Sequence, residues 1–265
     1  MLRTRLVTAA IALPALWLIV WRLWQPLFAV FVLLVIAVAA MEYAAMALPQ
    51  QRGAAWLLLG ATQAVAVGLL AQGPWPGVVL GASFLVALLL PLAAPHDLTG
   101  SVQRAALWWF GVAYVGFLLP HGVLLRASSP HGWCWVLFVI FVAMGSDTGG
   151  YFGGRWFGRH KLFPAVSPAK TVEGAMGSLV GAIIVAVACR LVFFGTVDLE
   201  TGLGLPVAVS VLAQCGDLCE SALKRAFGVK DSGWIVPGHG GILDRLDSLL
   251  LPFVFLYYWV VVTGR

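Results

Sequence analysis

The sequence predicts an all-α, polytopic integral membrane protein with about nine transmembrane helices. Three observations predict it. Hydrophobic residues make up 61% of the 265 residues and charged residues only 10%, against roughly 45–50% and 25% in soluble domains. A soluble fold of this size cannot hide so much apolar surface from water, and a disordered chain would be more charged and less apolar. The apolar runs are also continuous and not alternating, which selects helices over barrel strands. Finally, breakers divide them into lengths that suit a bilayer, at about 20 residues per crossing.

The first segment, 6–21, follows Met1-Leu-Arg-Thr-Arg5 and resembles a signal peptide. Arg22-Leu-Trp-Gln25 offers no small-residue cleavage site, so an uncleaved first span is expected. The others are 26–48, 54–71, 75–94, 105–125, 132–149, 172–194, 203–222 and 246–263. Pro49-Gln-Gln-Arg-Gly53, Gln72-Gly-Pro74, Pro95-His-Asp97 and Ser128-Ser-Pro-His131 separate several of them. Trp108-Trp109, Trp133, Trp135 and Tyr257-Tyr258-Trp259 cluster near span ends, as interfacial anchors do. Nine is odd, so the termini lie on opposite faces. A cytoplasmic N-terminus puts 12 of the 16 Lys and Arg inside, which places the C-terminus outside. This implies a multi-pass protein of the inner (cytoplasmic) membrane.

The formal charge of +5 reflects that bias. No basic stripe outside the membrane is long enough for nucleic acid. Cys134, Cys189, Cys215 and Cys219 lie in apolar surroundings and read as membrane-buried thiols. Cys215 and Cys219 share a helix face, but no His is near them in sequence, so a zinc site is not expected. Residues 1–130 are read as scaffold helices with a candidate homodimer contact, and 131–265 as the catalytic region.

The charges are uneven. Residues 147–173 and 217–247 hold 15 of the 27 charges, and the predicted topology puts both stretches at the cytoplasmic face. The first carries Asp147-Thr-Gly-Gly-Tyr151 and Ser167-Pro-Ala-Lys-Thr-Val-Glu-Gly174. Its glycines allow helices or a ligand to approach the backbone. Ser167-Pro168 reads as a helix start, and a helix N-terminus beside Lys170 suits a phosphate. The alternative is a loop whose cations face anionic lipid. In the second stretch, Asp217, Glu220, Ser221, Lys224 and Arg225 fall on one helix face, and Asp244 and Asp247 open the last span around Arg245. Carboxylates there suit Mg²⁺, which retains waters and binds substrate phosphates, while Lys and Arg neutralise the remaining phosphate charge. Together they suit phosphoryl or nucleotidyl transfer. Salt bridges joining helix ends are the structural alternative. The Pro-Gly-His-Gly-Gly turn at 237–241 serves no evident packing need and would offer backbone N–H groups to an anion.

The pattern S-x-x-K-R at Ser221–Arg225, K-D at Lys230–Asp231 and P-G-H-G-G-x-x-D-R-x-D at Pro237–Asp247 resembles the signature of the phosphatidate cytidylyltransferase family, also called CDP-diacylglycerol synthases. The segments around Asp147 and Lys170 resemble the family's preceding region, so the likeness covers about 145–250. It implies a nucleotidyltransferase of class 2.7.7 in phospholipid biosynthesis, converting CTP and phosphatidic acid to CDP-diacylglycerol and pyrophosphate. It implies Mg²⁺, with K⁺ as a candidate companion. By resemblance, Asp217 and Asp244 are the metal ligands, with Asp147 and Asp247 as further candidates. Catalysis is assigned to Asp217, Lys224, Arg225, Asp244 and Arg245. Substrate binding is assigned to Lys170, Ser221, Lys230, Asp231, His239, Gly240 and Gly241. The rivals are an anion transporter, a CTP-dependent transferase acting on another lipid alcohol, and a membrane scaffold. A transporter would place charge near the midplane between internal repeats, and no repeat is evident. Glu42, near the inner end of the second span, reads as a helix-end residue without a catalytic role.

Overall fold

The computed structural model describes residues 14–49, 51–71, 73–93, 95–194, 202–235 and 240–264. Helix α1 covers residues 14–22, and the earlier part of the predicted first span lies outside the described residues. Then follow α2 (Gln25–Ala47), α3 (Arg52–Leu70), α4 (Trp75–Leu89) and α5 (Leu98–Gly111). A π-helical turn (Val112–Phe117) leads on to α6 (His121–Ala127) and α7 (Gly132–Phe157). An antiparallel hairpin, β1 (Lys161–Phe163) and β2 (Ser167–Thr171), joins α7 to α8 (Val172–Cys189). Helices α9 (Gly204–Ala226) and α10 (Leu243–Thr263) complete the order.

Seven helical stretches among the described residues are long and apolar enough to cross a bilayer. The chain is a multi-pass membrane protein. Two of the nine expected spans fall outside those seven. Only nine residues of α1 are described, and Asp217, Glu220, Lys224 and Arg225 make the second half of α9 polar.

Three boundaries differ from the sequence reading. The fifth span starts at Leu98, because Asp97 caps it by accepting the Gly100 N–H at 3.0 Å. Helix α7 continues to Phe157, past the expected span end at 149 and through Gly149, Gly150, Gly153 and Gly154. Ser167–Thr171 forms a strand and not a helix start. Pro168 is tolerated there because the hairpin has only edge strands. Helix α8 begins after Thr171, whose hydroxyl accepts the Gly174 N–H at 3.1 Å.

The chain divides into two compact units. One contains Leu23–Leu124 and Asp231–Asp244. Here α2, α3 and α5 approach closely. A side chain at Gly111 would strike Tyr43, and one at Gly116 would stand 2.8 Å from the Thr62 Cα. The buried Tyr43 hydroxyl donates to the Leu107 carbonyl at 2.8 Å, which satisfies a polar group that lipid could not.

The other unit contains α1, Leu125–Lys230 and Arg245–Arg265. Its spine is the seam between α7 and α8. Gly145, Gly149 and Gly153 face Gly174, Gly177 and Gly181. A Cβ at Gly149 would collide with the Gly177 carbonyl, and one at Gly153 would lie 3.1 Å from the Gly177 Cα. Lipid supplies no hydrophobic drive between helices, so this backbone contact is what packs them. Helix α9 joins α7 through the buried hydroxyls of Ser146 and Ser210, 2.7 Å apart. Helix α10 meets α9 at Gly216, where a side chain would run into the Asp247 carbonyl.

Candidate active site

In the second unit, Asp147 of α7, Lys170 of β2 and Asp217 of α9 line one partly open cavity of about 450 Å³. Local folding puts them there. The Ser146–Ser210 bond fixes α9 against α7 one residue before Asp147. The hairpin is held by Glu173, which accepts the N–H groups of Arg159 at 3.0 Å and His160 at 3.2 Å and pairs with His160 Nδ1 at 2.6 Å. Lys161 Nζ donates to the Pro168 carbonyl at 2.7 Å. So β2 is braced from both sides, and Lys170 reaches α9.

Lys170 Nζ lies 2.7 Å from Asp217 Oδ2. The Ser221 hydroxyl donates to Asp217 Oδ1 at 3.3 Å. Asp147 is within Coulombic reach of Asp217, Lys170 and Arg245, and Asp217 is within reach of Asp247. Three helices thus contribute carboxylates to one field that also contains two cations. Tyr151, Arg155, Ser178 and Gln214 line the same cavity. Arg155 Nη1 donates to the Tyr151 hydroxyl at 2.9 Å. Tyr151, Phe152, Trp156 and Phe157 are all exposed around it, as in the aromatic belt at a membrane surface.

The remaining α9 residues divide by burial. Glu220 is wholly buried and pairs with Lys224 at 2.6 Å, the Lys224 side chain being 11% exposed. The Glu220 carboxyl also lies against that of Asp247. Arg225 is exposed and donates to the Val229 carbonyl at 3.1 Å. Lys230 is exposed.

In the first unit, the loop 231–244 carries Asp231, Gly240, Gly241 and Asp244. Asp244 Oδ2 accepts the N–H groups of Ser232 at 2.9 Å and Gly241 at 2.8 Å. Glu42 of α2 accepts those of Ile242 at 3.0 Å and Leu243 at 2.8 Å, and the Ser232 hydroxyl at 3.3 Å. Gly240 turns the chain beside Asp244 with φ +84°, a conformation that L side chains rarely adopt. The expectation of backbone N–H groups open to an anion therefore fails at Gly241, because Asp244 holds its N–H. His239 lies outside the described residues. Asp231 is exposed, and its Cβ would stand 3.7 Å from a Cβ at Gly240.

Among the described residues, no three Asp, Glu, His or Cys side chains are gathered as a ready-made metal cage. Mg²⁺ does not need one, since one or two carboxylates with waters and substrate phosphates suffice. Asp147 and Asp217 are the two carboxylates that line the cavity. Sequence reasoning did not single out Arg155 and Tyr151, which line the cavity, or foresee the loop contacts of Glu42. A lone carboxylate in the 23-residue apolar helix α2 was the available signal.

The cytidylyltransferase family model matches residues 3–263. A phosphatidate cytidylyltransferase of Bacillus subtilis is 38% identical over 177 residues, which is 67% of this chain and 66% of that protein. One from Staphylococcus haemolyticus is 43% identical over 158 residues, 59% of each chain. One from Staphylococcus aureus is 38% identical over 189 residues, 69% of this chain and 70% of the other. The chain spans 66% and 59% of the length of the first two curated relatives.

Proposed function

The chain belongs to the cytidylyltransferase family, and from that membership we propose that it is a membrane enzyme that converts CTP and phosphatidic acid to CDP-diacylglycerol and pyrophosphate. One structural observation carries this reading: Asp147, Lys170 and Asp217 line a single cavity in a protein that is otherwise overwhelmingly apolar. Both substrates are polyanions, so such a protein must gather cations and oxygen ligands at one place. CTP comes from the cytosol and the lipid from the leaflet. The site accordingly belongs at the cytoplasmic interface, with the N-terminus cytoplasmic and the C-terminus outside.

A phosphate oxygen of phosphatidic acid attacks the α-phosphorus of CTP in line. The new P–O bond forms as the bond from that phosphorus to the β-bridging oxygen breaks, and pyrophosphate leaves with the electron pair. The attacking oxygens are already ionised, so no strong general base is required. Lys170 is held by Asp217 until an incoming phosphate competes for its ammonium. Arg155, steadied by Tyr151, has no carboxylate partner among the described residues and offers a second cation to the cavity. Bound Mg²⁺ would neutralise charge building on the leaving group. Asp217 and Asp244 are the ligands assigned by resemblance, with Asp147 and Asp247 next. K⁺ as a companion cation rests on the resemblance alone; a homodimer contact is a candidate role for residues 1–130.

The test is purified protein with CTP and phosphatidic acid, with and without Mg²⁺. CDP-diacylglycerol and pyrophosphate should appear only when Mg²⁺ is present. A folded preparation that makes neither, or that transfers to another lipid alcohol, overturns the reading. A C-terminal cysteine labelled only from the cytoplasm would reverse the orientation.

A further inference from the structure

We propose that Glu42 is a positioning residue for this reaction, fixing the loop that presents Asp244. The inference rests on the function proposed above. Glu42 is the only charged residue in α2 and is 6% exposed. A carboxylate in such surroundings is costly unless its oxygens are hydrogen-bonded. Its partners are distant in sequence. Ser232 is 190 residues away and Leu243 is 201.

The bonds form a connected chain. The Ser232 hydroxyl donates to Glu42 Oε2 at 3.3 Å and accepts the N–H of Asp244, also at 3.3 Å. The Ser232 N–H in turn donates to Asp244 Oδ2 at 2.9 Å. Glu42 therefore reaches Asp244 through one serine. It also takes the N–H groups of Ile242 and Leu243, where α10 begins and no helical partner exists for them. A negative charge is favoured at that end of a helix. The loop is shaped around the carboxylate, since a side chain at Gly233 or Gly241 would run into Glu42. Residues on both arms of the loop are thus tied to one point on α2, and the direction of the Asp244 carboxylate follows from that tie.

The test uses Glu42→Gln, which keeps the size but turns an amide N–H₂ toward backbone N–H donors. Turnover, KM for phosphatidic acid and the Mg²⁺ concentration for half-activation are measured on purified protein. Hydrogen–deuterium exchange is followed at residues 232 and 241–244. We expect kcat to fall about tenfold to a hundredfold and the Mg²⁺ requirement to rise. KM for the lipid should stay unchanged, and the Ile242 and Leu243 amides should exchange faster. Glu42→Asp is too short to hold both arms and should not restore turnover. Ser232→Ala removes both hydroxyl bonds of the chain, to Glu42 and from the Asp244 N–H, and should lower kcat roughly threefold to tenfold. It carries the test if Glu42→Gln does not accumulate. Faster exchange with normal kcat and Mg²⁺ response would make Glu42 a fold-supporting residue only and overturn the proposal. Unchanged exchange would overturn the tie itself. A wild-type protein that makes no CDP-diacylglycerol defeats the proposed function instead, and the exchange data still decide whether Glu42 holds the loop.

Discussion

The carboxylates lining the cavity and those of the loop 231–244 are chemically alike but differently engaged. Asp217 holds a lysine ammonium and one long serine bond. Asp147 faces the same cavity. In the loop, Glu42 and Asp244 accept four backbone N–H groups between them. A carboxylate bonded to two amides of the main chain has its direction fixed by the fold. One held by a flexible side-chain cation can exchange that partner for a metal or release the cation to a phosphate. These carboxylates thus divide into a fixed class, whose direction the fold sets and which includes the proposed metal ligand Asp244, and a reactive class that can exchange its partner, and the donor type tells them apart.

The comparison is tested most severely at Lys224. Its pair with Glu220 lies in the same unit as the cavity but is buried like Glu42. Lys224→Ala should cost about 3–5 kcal/mol of stability, by leaving Glu220 buried without its cation. Adding Glu220→Gln should recover part of it. Thermal unfolding in detergent measures both, and an unchanged midpoint in Lys224→Ala would move this pair to the reactive class.

Next come the two aspartates assigned to the metal. Asp217→Asn and Asp244→Asn should each lower turnover about a hundredfold, as losing a charged contact worth about 3 kcal/mol does, while the protein still inserts. Only Asp244→Asn should speed amide exchange at Ser232 and Gly241. Faster exchange in both variants would erase the distinction. A smaller effect is expected for Arg155→Ala, about tenfold in kcat/KM from one lost charge-assisted bond to phosphate. Arg155→Lys should restore part of it, and wild-type kinetics in the alanine variant would remove Arg155 from the site.

The smallest effect is expected at Arg104, whose 3.0 Å pair with Asp97 is exposed. The Gly100 N–H and the Arg104 guanidinium hold the Asp97 carboxyl below the usual carboxylate range. Any support from this lowered group is present at neutral pH and is lost as pH falls through its folded value. Arg104→Ala should change turnover at neutral pH less than about twofold, as exposed pairs do. A larger loss would mean that this cation does more than brace Asp97 and Ser101.

The helices were legible in the sequence because hydropathy and breakers act over the same 20 or so residues that a span occupies. The i, i+4 spacing of Glu220 and Lys224 predicted their proximity, but not that they turn inward. The hairpin was hidden because Ser167-Pro168 followed by Lys170-Thr171 reads equally well as a helix start. What makes it a strand is Glu173 binding Arg159 and His160, a contact spanning 13–14 residues. Glu42 was beyond any local pattern, since Ile242 lies 200 residues away. The eight residues by which α7 outruns the expected span end at 149 were not legible, because glycine is a poor helix former in isolation and the partner that rescues it is on α8.

The seam between α7 and α8 also acts as a ruler. Asp147 sits on α7 between Gly145 and Gly149, and Lys170 lies two residues before the start of α8. Sliding one helix past the other by a single turn would offset these side chains by about 5.4 Å. The interlocked backbones leave no intermediate stop. A residue inserted between Gly149 and Gly153 would turn the flanking glycines about 100° out of phase and unzip the seam, whereas one inserted at 128–131 would only lengthen a turn. Bilayers of different thickness press on the same pair. Because its register cannot creep, the lipid around it must stretch or thin, and the spacing of the charged groups is preserved from one membrane to the next.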